Sequence, residues 1–528
     1  MRDITECHEK RPEQANPFCS SRLQISSPLG LSSPTVLLAV ILIAGIFFRI
    51  WQYTYDRSLW LDEAFLANNI VLRSFPELLL KPLGANQGAP LGFVLLLKSS
   101  TTFLGANELA LRLISLSAGL LSLFAAHRIS HSIFNSTAAR SCLLGLVAFS
   151  PILVYYSSEL KQYSMDLAAC LCIIWMALDY KRWKHGIFLF ASVGSTAVWL
   201  SHPSVFVLTA VGTVLLIKKF WEKEYKHIYK LIIVVSTWTT SFAVVFFLSL
   251  RTLALNRGLV DYWKSGYAPL PIRSLDDLHW FWESALGLIY LAFQQSSPAD
   301  PAAHPDWFAS LNIILLIFVL IGALCLYLKS KRLFGFIVLP ILVTLSISAF
   351  ELYPFRNRLI LFLTPLVYIL VASVVGWLAG HAGVWGKAAG YITAACLITL
   401  VLFPSLRIAF NPYNPSNIKS ALAYVQAESS PGDQLALSAW SCYSFSFYAK
   451  RFKLQNMKIA DVIPPQNDAG KFLNDILQKQ ALKRTWIIFS HRFHERTNFL
   501  TQLRSVTPLL QSYEADSAGA YLFDFSNL

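Results

Sequence analysis

Repeated apolar segments constrain this chain more than any other feature. About eleven such segments recur, most of them close to the ~20 residues that an α-helix needs to cross a bilayer. Hydrophobic residues make up 55% of the 528 residues and charged residues 14%, and a water-soluble fold with that balance would expose too much apolar surface. The sequence predicts a polytopic α-helical membrane protein with spans near 35–53, 108–127, 140–156, 163–180, 185–201, 203–217, 229–250, 309–328, 333–350, 359–379 and 384–405.

The loop charges predict how the helices are oriented. The formal net charge is +14, but this does not indicate nucleic-acid binding, because the Lys and Arg residues cluster in alternate short loops as the positive-inside rule requires. A cytoplasmic N-terminus places the following basic residues inside: Arg128, Arg140, Lys181, Arg182, Lys184, Lys218, Lys219, Lys223, Lys226, Lys230, Lys329, Lys331, Arg332 and Lys387.

Three regions follow from this topology. We expect a cytoplasmic segment at 1–34, a transmembrane module at 35–410 with outer loops at 54–107 and 252–307, and an outer domain at 411–528. The apolar stretch Ala89–Leu104 is interpreted as a juxtamembrane helix within the first outer loop, since a span there would invert every later loop. Strand and helix patterns alternate after residue 411 and predict a small α/β domain.

Unusual polar residues collect at the predicted outer helix ends. Asp62 and Glu63 directly follow the first span, and ionisable groups at a membrane boundary are costly enough to suggest a function. A transporter more often places such groups near the bilayer midplane, whereas a boundary site suits joining a lipid-borne substrate to an aqueous one. The later outer ends contribute Glu159, Lys161, Gln162, Tyr163, His202, Glu351, Tyr353, Arg356, Asn357 and Arg358.

The order of several short motifs resembles one enzyme superfamily. The motifs are Leu61–Ala64, Ala89–Phe93, Ala110–Leu113, Ser150–Ser157 followed by Glu159, Gln162 and Tyr163, and Tyr353–Arg358. Together they resemble the GT-C superfamily of polyprenyl-phosphate-sugar glycosyltransferases, including the protein O-mannosyltransferase-like, aminoarabinose-transferase-like and bacterial family 39-like enzymes. The resemblance implies a location in a bacterial inner membrane, with the active site on the outer side.

The resemblance also implies a mechanism, in which a sugar leaves a polyprenyl phosphate with inversion and joins an acceptor hydroxyl on a glycan, lipid or protein. Asp62 is the expected general base, Glu63 would orient it or share its proton, and Glu159 is the second carboxylate. The expected substrate-binding residues are Arg356 and Arg358 for the lipid phosphate, followed by Lys161, Tyr163, His202 and Lys98. No zinc-type spacing of His and Cys is present, and a divalent cation between Asp62 and Glu159 is left open.

Each assignment has a structural alternative. Asp62 and Glu63 could cap the helix at Ala64–Arg73, and Glu159 could pair with Lys161 at the interface. The remaining alternatives are headgroup anchoring by Arg356 and Arg358, a turn at His202 before Pro203, and an ion pair between Arg112 and Glu108.

Two other functions are also compatible with the pattern. One is a transporter or flippase for lipid-linked sugars, and the other is a non-catalytic membrane binding protein whose C-terminal domain is the working part. Loss of transfer on replacing Asp62 by Asn would distinguish a transferase from both.

Overall fold

A computed structural model describes residues 33–293, 307–381, 383–463, 469–478, 483–491, 494–515 and 517–526. The predicted cytoplasmic segment, except for its last two residues, and part of the second predicted outer loop lie outside these ranges. Within them, nine helices are long and apolar enough to cross a membrane. The predicted multi-pass helical architecture is confirmed, while the orientation of the helices in the membrane stays a prediction.

The part of the predicted transmembrane module that the structure describes contains eighteen α-helices. Their bounds are α1 (Ser33–Thr54), α2 (Leu61–Leu72), α3 (Phe75–Leu80), α4 (Leu91–Leu104), α5 (Glu108–Ile133), α6 (Thr137–Phe149), α7 (Pro151–Tyr156), α8 (Tyr163–Asp179), α9 (Gly186–Leu200), α10 (Ser204–Trp221), α11 (Tyr225–Val245), α12 (Arg251–Ala254), α13 (Arg257–Tyr262), α14 (Leu275–Phe293), α15 (Trp307–Lys329), α16 (Lys331–Ala349), α17 (Thr364–Gly380) and α18 (Gly383–Phe410). Short 3-10 helices lie at Tyr180–Arg182, Lys264–Gly266 and Asn357–Leu363, and a π-helix lies at Phe246–Leu250.

Two of the predicted spans are shorter than a full crossing. The span predicted near 140–156 is divided into α6 and α7, and the span near 185–201 is the 15-residue α9. Ser150 has an extended backbone between α6 and α7, because a residue that precedes proline is driven out of the helical region. The chain therefore turns at Ser150-Pro151 and brings the segment after α7 towards α2.

The apolar stretch interpreted as a juxtamembrane helix is α4. It packs against α2, α5 and α9, and Phe93 and Leu97 are fully buried in that contact. One face of α4 is therefore covered by neighbouring helices, while Leu96, Phe103 and Leu104 on the rest of the helix are exposed.

Helix α17 lies in the middle of the bundle. In the span Asn357–Gly380, 89% of the most apolar 18-residue stretch is buried inside the protein. The corresponding share is 22–28% in the spans that contain α1, α11 and α15. A helix that is apolar on all sides is stable in such an enclosed position. The 3-10 helix Asn357–Leu363 precedes α17, and it is buried from Ile360 onwards while Arg358 near its start stays partly exposed.

The C-terminal region forms the predicted α/β fold. Its strands are β1 (Gln434–Ser438), β2 (Ile459–Ile463), β3 (Arg484–Phe489), β4 (Leu509–Glu514) and β5 (Gly519–Asp524), in the order β2-β1-β3-β5-β4. Strands β2, β1 and β3 are parallel, whereas β5 is antiparallel to both β3 and β4. The helices are α19 (Ile418–Glu428), α20 (Ser441–Tyr448), α21 (Ala469–Gln478) and α22 (His494–Arg504).

The C-terminal domain and the segment around α2 share one hydrophobic core. Leu59 and Leu66 are buried in the same cluster as Leu422 and Tyr448. The Phe65 and Tyr443 rings meet edge to face, with their centroids 4.4 Å apart. The domain is therefore packed directly against the segment that carries the two adjacent carboxylates.

Glu108 is part of this contact. Its buried carboxylate pairs with Lys419 at 3.0 Å and with Arg451 at 3.0 Å, both from the C-terminal domain, and accepts a hydrogen bond from the Tyr448 hydroxyl. The expected ion pair with Arg112 is wrong, because Arg112 is directed at a different carboxylate.

Candidate active site

Asp62 and Arg358 are in direct contact. Asp62 is the second residue of α2, and Arg358 lies in the 3-10 helix that leads into α17. The Arg358 Nη2 atom is 2.5 Å from Asp62 Oδ2, and the two side chains remain 23% and 20% exposed. The guanidinium also lies over the rings of Trp60 and Tyr163, 5.6 and 5.8 Å from their centroids. The structure thus joins the predicted base to a predicted phosphate-binding cation, and both can still be reached from solution.

Glu63, in contrast, is fully enclosed. Its carboxylate makes a bidentate pair with Arg112, with Nε–Oε1 at 2.9 Å and Nη2–Oε2 at 2.7 Å. It also accepts hydrogen bonds from the backbone N–H groups of Leu160 and Trp60. Burial alone would raise the pKa of Glu63, but the charges of Arg112 and Arg57 and these hydrogen bonds outweigh it and hold the pKa below its usual value. Glu63 is therefore an ionised anchor that caps α2, as the structural alternative proposed for it.

Glu159 is buried without the partners that Glu63 has. Neither carboxylate oxygen forms a well-aligned hydrogen bond within the described residues, and Arg57 Nη2 lies 3.8 Å from Oε2. Burial raises the pKa of Glu159 to about 7, assisted by the charge of Glu63 and opposed by Arg57 and Arg358. Near neutral pH this carboxyl group can therefore exist with or without a proton.

Arg57 is a site residue that the sequence interpretation missed. Its guanidinium lies 4.5 Å from the centroid of the Tyr155 ring and donates one hydrogen bond to Ser158 Oγ. Within the described residues its Nε and Nη2 atoms have no hydrogen-bond partner, and a buried donor without a partner is costly. The sequence feature that could have indicated Arg57 is its position five residues before Asp62.

Lys161 and Tyr163 border the same site. Lys161 Nζ donates to Gln87 Oε1 at 2.6 Å, so the pair with Glu159 considered from the sequence is not formed. Burial lowers the pKa of Lys161, while the charge of Asp62 acts in the opposite direction. Tyr163 begins α8 and places its ring beside Arg358.

The structure brings no other predicted binding residue to Asp62. Lys98 donates to the Ile70 carbonyl at the far end of α2, about 12 Å further along at 1.5 Å per residue. Arg356 donates to Ser265 Oγ instead. His202 occupies the turn between α9 and α10, as its structural alternative proposed, and burial lowers its pKa to about 4.

The acidic side chains do not assemble around a common centre in the described part of the chain. No group of three or more His, Cys, Asp or Glu residues is placed there to hold a metal ion. Asp62 pairs with Arg358 and Glu159 faces Arg57, so the two carboxylates considered as cation ligands each oppose an arginine.

The Glu63–Arg112 pair leads to a stability prediction. Glu63→Ala leaves the Arg112 guanidinium buried without a counter-charge, which costs about 3–5 kcal/mol. We expect a large fall in the thermal unfolding midpoint of the detergent-solubilised protein. The matched change Glu283→Ala removes an exposed carboxylate and should leave the midpoint nearly unchanged. Equal midpoints for both variants would contradict the structural role of Glu63.

The fold of this chain is shared with solved membrane transferases. No family model and no curated protein matches the sequence. The archaeal oligosaccharyltransferase AglB from Archaeoglobus fulgidus, in complex with an inhibitory peptide and a dolichol-phosphate, superposes with a TM-score of 0.50 at 12% identity, covering 94% of this chain and 74% of AglB.

ArnT from Cupriavidus metallidurans superposes equally well. Its apo structure has a TM-score of 0.51 at 10% identity, and its structure bound to undecaprenyl phosphate has 0.51 at 11%. Both alignments cover 92% of this chain and 97% of ArnT. The motif order had predicted this architecture, and the chain is a multi-pass membrane protein with the GT-C fold.

Proposed function

We propose that this protein is a membrane glycosyltransferase that moves a sugar from a polyprenyl-phosphate donor to an acceptor hydroxyl. The observation that carries the proposal is the contact between Asp62 and Arg358, a carboxylate and a guanidinium that stay partly open inside a GT-C fold. The solved structures of AglB and ArnT hold a dolichol-phosphate and undecaprenyl phosphate, which supports a lipid-phosphate carrier as the ligand class.

In this reaction Asp62 acts as the general base. It accepts the proton of the acceptor hydroxyl while the oxygen attacks the anomeric carbon. The bond between that carbon and the phosphate oxygen breaks with inversion, and the polyprenyl phosphate leaves with the bonding electrons. Arg358 bonds to the phosphate, because a guanidinium can form two parallel hydrogen bonds to it.

The pairing of Asp62 with Arg358 has a consequence for the order of events. While the two side chains are paired, Asp62 Oδ2 is occupied by Arg358. A phosphate that binds Arg358 competes for the guanidinium and frees Asp62 for the acceptor. Donor binding therefore prepares the base, which disfavours reaction before the donor is in place.

Arg57 and Glu159 complete the proposed site. Two nitrogen donors of Arg57 have no hydrogen-bond partner among the described residues and lie close to Glu159, and Arg57 is our second candidate for the phosphate. Glu159 contributes a carboxyl group to sugar or acceptor binding. Trp60 offers a half-buried ring surface beside Arg358, and a sugar can pack its apolar face on such a ring.

The site is proposed to face the outer side of a bacterial inner membrane. The basic loops lie at the opposite helix ends from Asp62, and the positive-inside rule assigns those loops to the cytoplasm. The acceptor is a glycan, lipid or protein hydroxyl on the outer side.

The role of Asp62 is tested by Asp62→Asn, which keeps the shape of the side chain and removes the base. We expect transfer to fall by about 10²–10⁴-fold, while the protein still binds polyprenyl phosphate. The measurement is mass spectrometry of surface glycans, glycolipids and glycoproteins from cells that carry either form, followed by transfer assays with membrane-extracted donor lipids.

The matched control is Asp276→Asn, an exposed residue in the first turn of α14, which should leave transfer unchanged. Full transfer by Asp62→Asn would refute the assignment of the base. Movement of a lipid-linked sugar across vesicles without any new glycosidic bond would instead establish a transporter.

The titration of Glu159 predicts a pH dependence of lipid-phosphate binding. Its pKa of about 7 means that the group is neutral below that pH and negative above it, and the negative form opposes an anion bound near Arg57 and Arg358. Relative to Glu159→Gln, we expect the affinity of the native protein for undecaprenyl phosphate to fall as the pH rises from about 6 to about 8. The second ionisation of the lipid phosphate strengthens binding over this range but is common to both proteins, so the comparison isolates Glu159. Superimposable pH profiles for the two proteins would contradict the prediction.

A further inference from the structure

The sheet of the C-terminal domain has a topological switch point. After β1 the chain passes through α20 to β2 on one side of β1, and then through α21 to β3 on its other side. In open α/β sheets a ligand usually binds outside the carboxyl ends of the strands at such a point. Here the position next to the ends of β1 and β3 is occupied by the beginning of α2.

A series of hydrogen bonds crosses this switch point. Ser438 at the end of β1 bonds to Ser441 Oγ at 2.6 Å, and Ser441 bonds to Ser490 Oγ at 3.1 Å just after β3. Ser490 Oγ lies 2.6 Å from His491 Nδ1. The series ends on the membrane module, where the Leu61 N–H donates to His491 Nε2 at 3.2 Å.

These contacts define the protonation of His491. Nε2 accepts a hydrogen bond, so it must carry the lone pair, and Nδ1 therefore carries the proton and donates it to Ser490. Burial lowers the pKa of His491 to about 4, against the opposing charge of Asp62. The imidazole is neutral at physiological pH and keeps its acceptor.

The start of α2 needs an acceptor from elsewhere. The first backbone N–H groups of a helix have no partner within the helix, and the residue before α2 is Trp60, whose side chain has no acceptor. The Trp60 N–H donates to the Glu63 carboxylate, and the Leu61 N–H donates to His491 Nε2. The residue next to Leu61 is Asp62.

The C-terminal domain holds the preceding loop as well. The Leu59 N–H donates to the Tyr448 hydroxyl at 2.9 Å, and the Lys419 N–H donates to Ser58 Oγ at 3.3 Å. Hydrogen bonds from one domain thus reach residues 58, 59 and 61 of a single short segment. That segment fixes the direction in which Asp62 leaves the backbone.

We infer that the C-terminal domain is a positioning module for the catalytic carboxylate, and that His491 at its switch point is the positioning residue that orients Asp62 through the Leu61 amide. The inference rests on the proposed function of Asp62. Since a displacement of about 1 Å can cost ~10²-fold in rate, loss of this one acceptor is expected to lower kcat while leaving KM for the donor nearly unchanged.

The experiment compares two replacements of His491 in the full-length protein. His491→Gln places its side-chain oxygen near the position of Nε2 and can still accept from Leu61, whereas the shorter His491→Asn cannot reach. We expect kcat to fall by about 10–100-fold in His491→Asn and to be largely restored in His491→Gln. Lys450→Ala, an exposed residue of the same domain, is the control and should retain full activity.

A combined variant separates positioning from general damage. If His491 acts through Asp62, adding His491→Asn to Asp62→Asn should cause no further loss of the residual transfer. The same fold-loss in both backgrounds, or full activity of His491→Asn, would overturn the inference. If Asp62→Asn is itself fully active, the proposed function fails instead, so the two failures can be told apart.

Discussion

The buried pair of Glu63 and Arg112 is the interaction on which the candidate site depends. It joins α2 to α5, and the Leu160 N–H adds the segment before α8 to the same carboxylate. Arg112 also donates to the carbonyl groups of Arg57 and Ser58. A buried ion pair recovers its desolvation cost only when its remaining donors and acceptors are satisfied. Here they are, and the result is that three separate segments meet at a fixed geometry next to Asp62.

The two adjacent carboxylates have different environments because they lie on a helix. Successive residues of an α-helix point about 100° apart, so Glu63 faces the interior of the bundle when Asp62 faces the opening. The sequence identified the pair but could not say which member faces which way. The assignment follows from Arg112, which lies 49 residues away in the chain and is fully buried.

Features that depend on neighbouring residues in the chain were predicted from the sequence, whereas features that depend on residues far apart in the chain were not. Apolar length predicted all nine membrane-length helices of the described residues, and alternating patterns predicted the α/β character of the C-terminal domain, because both are local properties. The helix α14 was missed, since the sequence interpretation placed it in the second outer loop. Arg358 was predicted from motif order. Arg57 and His491 were missed, since each acquires its role through contacts with residues about 100 and 430 positions away. Lys98 was a lesser candidate for the phosphate, but a lysine ammonium also donates to backbone carbonyls, and the end of α2 supplies them.

The positive charges near Asp62 stabilise the transition state of the proposed reaction more than they stabilise the bound substrate. A sugar linked to a polyprenyl phosphate is a phosphodiester with one negative charge, whereas the departing polyprenyl phosphate is a monoester with about −1.5 to −2. Negative charge therefore grows at the phosphate while Asp62 loses its own by accepting a proton.

The total negative charge in the site changes little during the reaction, but the charge moves from the Asp62 carboxylate to the phosphate. Donor binding has by then drawn Arg358 from Asp62 to the phosphate, so the guanidinium already lies where the negative charge develops. Cations held in place in a partly dehydrated site stabilise charge that develops in the transition state more than charge already present in the substrate. The buried Arg57, two of whose donors lack a hydrogen-bond partner in the described part of the chain, adds to that preference, since its desolvation cost has already been met on folding.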